Sequence, residues 1–135
     1  MGAWGHDSFD NDDAGDWVYE LEESSDMSVI DEALNAVTDD AEEYIEAPEC
    51  SMAIAASEVV AALHGKASES LPESVQAWIN GKPKPDKFIT AKATRAIDAV
   101  LKNSELKELW EENAEDYPKW LAVLNDIKSR IPTVA

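Results

Sequence analysis

The sequence predicts an all-α fold, a single compact helical bundle of five to seven helices around a central alanine-rich helix. Three observations carry this. Apolar residues recur at i, i+3, i+4 and i+7 in one window after another, the period of a helix with one buried face. No alternation with a period of two survives anywhere, so no strand is expected. From Met52 to Leu63 only Ser57 and Glu58 are polar, and a helix apolar nearly all round is buried by its neighbours. With 135 residues, 44% of them hydrophobic, and five tryptophans, the chain fits one domain, 1–135, able to bury a core.

The elements follow in order. Asp10 or Asn11 can cap a first helix, with Asp12 and Asp13 in its positive first turn and Ala14, Trp17, Val18 and Leu21 on its stripe. Gly15 weakens this helix by about 1 kcal/mol against alanine. Ser28 is read as the cap of a second helix carrying Ile30, Ala33, Leu34 and Val37. The same spacing continues through Ala41, Tyr44 and Ile45, so a break near Thr38 and Asp39 and a continuous helix both remain open. Pro48 marks the next start, since its missing N–H costs nothing in a first turn, and His64-Gly65 ends that helix.

Pro72 opens a short helix with Val75, Trp78 and Ile79, closed by Gly81. Lys82-Pro83-Lys84-Pro85 is a stiff extended connector. A long helix from about Lys87 to Lys102 presents Ile89, Ala93, Ala96, Ile97, Val100 and Leu101. Ser104 caps a helix bearing Leu106, Leu109 and Trp110. Asp116 is read as the cap of the last helix, with Trp120, Leu124, Ile127 and Ile131 as its stripe. Trp17, Trp78, Trp110 and Trp120 fall on stripes and are expected in the core. Trp4 precedes any helix and is expected to plug the core rather than anchor a partner.

Charge is unevenly placed. The first 65 residues hold 18 of the 29 acids and no lysine or arginine, while the rest holds 11 acids and all 11 bases. The formal net charge of -18 therefore belongs to the N-terminal half. Such a field attracts basic surfaces and repels nucleic acid. Lys82, Lys84 and Lys87 beside Phe88 make too small a cluster for a nucleic-acid groove. No apolar run is long enough for a membrane span, and Met1 to Asp16 lacks the pattern of a signal peptide. A cytoplasmic protein is expected.

The motifs argue mostly against chemistry. Asp10-Asn11-Asp12-Asp13-Ala14-Gly15-Asp16 resembles a calcium loop, but Ala14 and Leu21 stand where ligands are needed. Glu42-Glu43-Tyr44-Ile45-Glu46 has the form E-E-x-x-E, whose carboxylates would share a helix face and could hold Mg²⁺. All-α nucleotide pyrophosphohydrolases of the MazG type use such a motif with a second E-x-x-D cluster, and here Ala61 stands three after Glu58. Neither His6 nor His64 belongs to Glu-x-x-His. His6 reads as a turn residue, and His64 as a helix-terminal one whose partial positive charge satisfies the last carbonyls. Cys50, the single cysteine, lies among acids that raise a thiol pKa and is read as inert. No catalytic residue, metal ligand or cofactor is assigned.

Met1-Gly2-Ala3-Trp4-Gly5, followed by Phe9-x-Asn11-Asp12-x-Ala14-x-Asp16-Trp17, resembles the domain of unknown function 4259, a family of small bacterial proteins. Ala55-Ala56-x-Glu58-Val59-Val60-Ala61-Ala62 and Ser104-Glu105-Leu106-x-Glu108-Leu109-Trp110 are similar to it too. The resemblance implies a bacterial origin and a stand-alone small domain. It implies no activity and transfers no site residue.

The favoured function is an interaction module, inhibitor- or immunity-like. Its anionic face of Asp10, Asp12, Asp13, Asp16, Glu20, Glu22 and Glu23 would meet a basic protein partner. The alternative from another class is a Mg²⁺-dependent nucleotide hydrolase using Glu42, Glu43 and Glu46. A third reading makes the acidity a matter of solubility alone. Neither the partner's identity nor an oligomeric state follows from the sequence.

Overall fold

The computed structural model describes residues 8–9, 11–38, 44–69 and 71–133. Among them are seven helices and no strand: α1 (Asp12–Glu23), α2 (Ser28–Thr38), α3 (Ala47–Leu63), α4 (Glu73–Ile79), α5 (Lys87–Lys102), α6 (Glu105–Glu111) and α7 (Tyr117–Arg130). The all-α bundle expected from periodicity is what forms.

α3 is its axis and packs against every other helix. The reason is compositional. Ala53, Ala55, Ala56, Ala61 and Ala62 are small enough for helices to approach from all sides, and Ile54, Val59, Val60 and Leu63 fill the space between. Fully burying each of those larger side chains stabilises the fold by about 1.5–3 kcal/mol. The helix opens at Ala47 with Pro48 in its first turn and stops in a Schellman motif. There Lys66 N donates to Ala61 O at 3.0 Å and Gly65 N to Ala62 O at 2.9 Å. Gly65 takes φ +82°, a conformation that a Cβ would strain.

α2 and α5 cover α3 on one side and also pack on each other; α1 and α4 form a second pair. Trp78 Nε1 donates to Ser24 O at 2.8 Å and fixes α4 to the end of α1. α6 and α7 close the bundle, with Trp110 and Trp120 stacked at 6.4 Å and Tyr117 stacked on Trp120 at 6.2 Å. Trp17, Trp78, Trp110 and Trp120 are all buried, as their stripes require. Trp4 lies outside the described residues.

One expected cap is corrected, and another stands in position only. Ser28 is the first helical residue of α2, and Asp26 does the capping. Its Oδ1 accepts from Ser28 N at 3.0 Å and Ser28 Oγ at 2.7 Å, which holds the Asp26 carboxyl below the usual range. Asp116 does occupy the N-cap position of α7, as expected, but its side chain makes no capping bond. Asn113 braces it instead, accepting from Asp116 N at 3.2 Å and donating to Asp116 Oδ2 at 2.8 Å.

The open question after Thr38 is settled for its far end. Tyr44 and Ile45 are not helical. Ile45 N donates to Asn103 O at 3.4 Å and Glu105 N to Ile45 O at 2.8 Å, so this stretch straps the chain onto the start of α6. Tyr44 Oη adds a bond to Glu108 Oε2 at 2.8 Å, which favours the neutral phenol and raises its pKa to about 12.

Candidate functional site

α1 is placed by its buried stripe of Ala14, Trp17, Val18 and Leu21. Asn11 Oδ1 accepts from Ala14 N at 2.7 Å and caps it. Asp12 and Asp13 then sit in the first turn, where unpaired N–H groups favour carboxylates. The outward face remains. Asp12, Asp16, Glu20 and Glu23 follow one another at four, four and three residues and so share it. These four and Glu22 are exposed, Asp13 is half-buried, and Asp10 lies outside the described residues. Tyr19, 69% exposed, stands on the same face.

Among the described residues, none of these six carboxylates has an ion pair. The bases that cross to the N-terminal half go elsewhere: Lys92 to Asp31 at 2.6 Å and Arg130 to Glu58 at 2.8 Å. Lys107, Lys119 and Lys128 pair within their own half, with Glu111, Asp116 and Asp98. The α1 face is thus left uncompensated. Local energetics also oppose it. Like charges four apart cost about 0.2–0.5 kcal/mol per pair, and Glu20, Glu22 and Glu23 crowd the negative end of the helix dipole, where no base stands in the last turn. The face is held in helical form by the packing of its other side.

The other sequence candidates fare differently. Glu42 and Glu43 lie outside the described residues, and Glu46 is the extended residue before α3. Residues 44–46 of E-E-x-x-E therefore do not extend a helix face, a correction to the helical placement of that motif. Asp12 and Asp13 are helical rather than part of a calcium loop. No group of three or more His, Cys, Asp or Glu among the described residues could hold a metal ion. No helix of the described residues is long and apolar enough to cross a membrane.

Cys50 is fully buried, and burial pushes its thiol up to about 11, in keeping with an inert residue. His6 lies outside the described residues. His64 does end α3, but not as a cation on terminal carbonyls. Burial and the nearby Lys84 hold its pKa below the ordinary 6.5. Its Nε2 lies 2.9 Å from Thr90 Oγ1, whose own proton goes to Asp86 O at 2.8 Å, so Nε2 is the donor.

One cluster was not singled out from sequence. Glu58, only 3% exposed, projects from the middle of α3. Its Oε2 accepts from Ser8 Oγ at 2.7 Å, and its Oε1 faces Arg130 Nη2 at 2.8 Å. That second contact is an ion pair. Arg130 also donates through Nε to Asp126 Oδ2 at 2.9 Å and through Nη1 to Lys66 O at 3.0 Å. Burial lowers the guanidinium pKa, but Glu58 and Asp126 outweigh it and raise the net value. A signal was present: a charge inside an apolar run needs a partner, because a lone buried ion is very costly.

A family model for a domain of unknown function, DUF4259, matches residues 2–123. No curated protein and no solved structure matches the chain.

Proposed function

The chain belongs to the DUF4259 family, and from that premise we propose that it is an interaction module whose anionic α1 face docks a basic protein partner, as an inhibitor or immunity-like protein would. One observation carries this reading. Asp12, Asp13, Asp16, Glu20, Glu22 and Glu23 have no counter-ion among the described residues, although basic side chains from the other half reach Asp31 and Glu58. The like-charge spacing along the face and the acids at the C-terminal end of α1 cost helix stability, which a face serving only solubility does not require. The exposed Tyr19 ring supplies apolar contact area and a face for a lysine or arginine.

The test is affinity capture on the immobilised protein at low and high salt, with a variant carrying Asp12→Asn, Asp16→Asn, Glu20→Gln and Glu23→Gln. Screening shortens from about 10 Å at 0.1 M to about 3 Å at 1 M. A basic partner is expected to be retained at 0.1 M, to be lost towards 1 M, and to be lost on the variant. Capture indifferent to both salt and variant would overturn the proposal.

A further inference from the structure

We infer that Ser8, Glu58 and Arg130 form a latch through which the C-terminal helix holds down the chain leading into α1. The latch goes beyond the docking proposal and stands without it. Arg130, in the last turn of α7, does not touch Ser8. It acts on Ser8 through Glu58, whose two oxygens are divided between them at 2.7 and 2.8 Å. The same guanidinium reaches Lys66 O in the turn after α3 and Asp126 on its own helix. Two parts of the chain, the turn at Ser8 and the last turn of α7, therefore meet on one buried carboxylate, and Lys66 O and Asp126 hold the arginine.

Loss of the guanidinium would leave the buried Glu58 carboxyl without its counter-charge, so water must reach it or its cover must open. The two sides of that cover are unequal. α7 is held by Trp120, Leu124, Ile127 and Ile131, all buried. The other side is the turn at Ser8 and Phe9, and Phe9 is only partly buried. The weaker side yields first. Removing Arg130 from the C-terminal helix is thus expected to free the approach to α1 rather than α7 itself.

Hydrogen–deuterium exchange on the full chain tests this, read at the amides of Ala14 and Gly15, which bond to Asn11 Oδ1 and Asn11 O. In Arg130→Gln these amides are expected to exchange about tenfold faster or more, with the α7 amides around Leu124 and Ile127 nearly unchanged. Ser8→Ala should speed the same two amides and leave the last turn of α7 protected. Arg130→Lys keeps the charge but not the fork, and should give the same pattern at smaller size; it serves as the reading should Arg130→Gln not fold. Faster exchange confined to α7, a uniform rise across all helices, or no change at Ala14 and Gly15 would each overturn the latch.

Discussion

The Ser8 hydroxyl donates to Glu58 Oε2 across 2.7 Å and fifty positions of sequence. The bond joins two of the three stretches that carry the family resemblance: Ser8 lies between the two parts of the opening motif, and Glu58 lies within the alanine-rich helix. The described members of the opening motif divide into two sets. Asn11 caps α1, Ala14 and Trp17 fill the core and Phe9 packs against it, so these serve the fold. Asp12 and Asp16 are exposed, without counter-ions among the described residues. Folding explains the first set and the first-turn place of Asp12; the outward charge of Asp12 and Asp16 is what a partner would use.

The Glu58–Arg130 pair should be costly to break and cheap to delete. Arg130→Met leaves a buried carboxylate unpaired and is expected to destabilise the protein by about 3 kcal/mol. The double variant Glu58→Met with Arg130→Met removes both charges and should lose less than that single substitution. Urea titrations followed by tryptophan fluorescence check the order; a double variant weaker than Arg130→Met would contradict it.

How much of this was legible follows from the range of each interaction. Helix positions and the caps Asn11 and Ser104 are local: each side chain accepts from a backbone amide three residues on, and the sequence displays that spacing. Ile45 was not legible, because helical spacing ran through it while its backbone pairs with residues near Ser104. Arg130 was hidden for a similar reason. Beside Lys128 in a last turn it reads as a complement to the helix dipole, and nothing local points to a carboxylate on α3. The outward acids of α1 were legible as a face, since amphipathic spacing fixes both sides of a helix at once.

The two buried indoles of α1 and α4 should respond unequally to Trp→Phe. Trp78 Nε1 bonds Ser24 O at 2.8 Å, whereas Trp17 Nε1 is buried with no partner among the described residues. Trp78→Phe orphans a carbonyl and loses a bond, while Trp17→Phe removes an unsatisfied donor. Trp78→Phe is expected to cost about 1–3 kcal/mol more than Trp17→Phe in thermal or urea unfolding. Equal losses would mean that packing volume alone governs both sites.

His64 gives a pH dependence with a definite sign. Its folded pKa lies below 6.5, so the unfolded chain binds the proton more tightly. The neutral ring carries no penalty above pH 6.5. Stability is lost as pH falls from there towards the folded value, where the penalty is complete. The acids also titrate further down, so the comparison is with His64→Gln, whose stability should fall less between pH 7.5 and 5.5. Parallel curves for the two proteins would show that the ring does not set this slope.

Stability and binding should separate along α1, because its dipole has two ends. Asp12 and Asp13 sit at the positive end, where carboxylates stabilise the helix by about 0.3–1 kcal/mol each. Glu22 and Glu23 sit at the negative end, where they destabilise it by similar amounts. Asp12→Asn with Asp13→Asn should therefore lower the urea midpoint, and Glu22→Gln with Glu23→Gln should raise it. Docking of a basic partner depends on the charge of the face, not on the sign of its helix effect. Both pairs of substitutions should weaken salt-sensitive capture alike. Capture that follows the urea midpoint instead, falling with the first pair and rising with the second, would show that helix integrity rather than surface charge governs binding. Capture unmoved by either pair would leave the outward acids of α1 a plain solvated face.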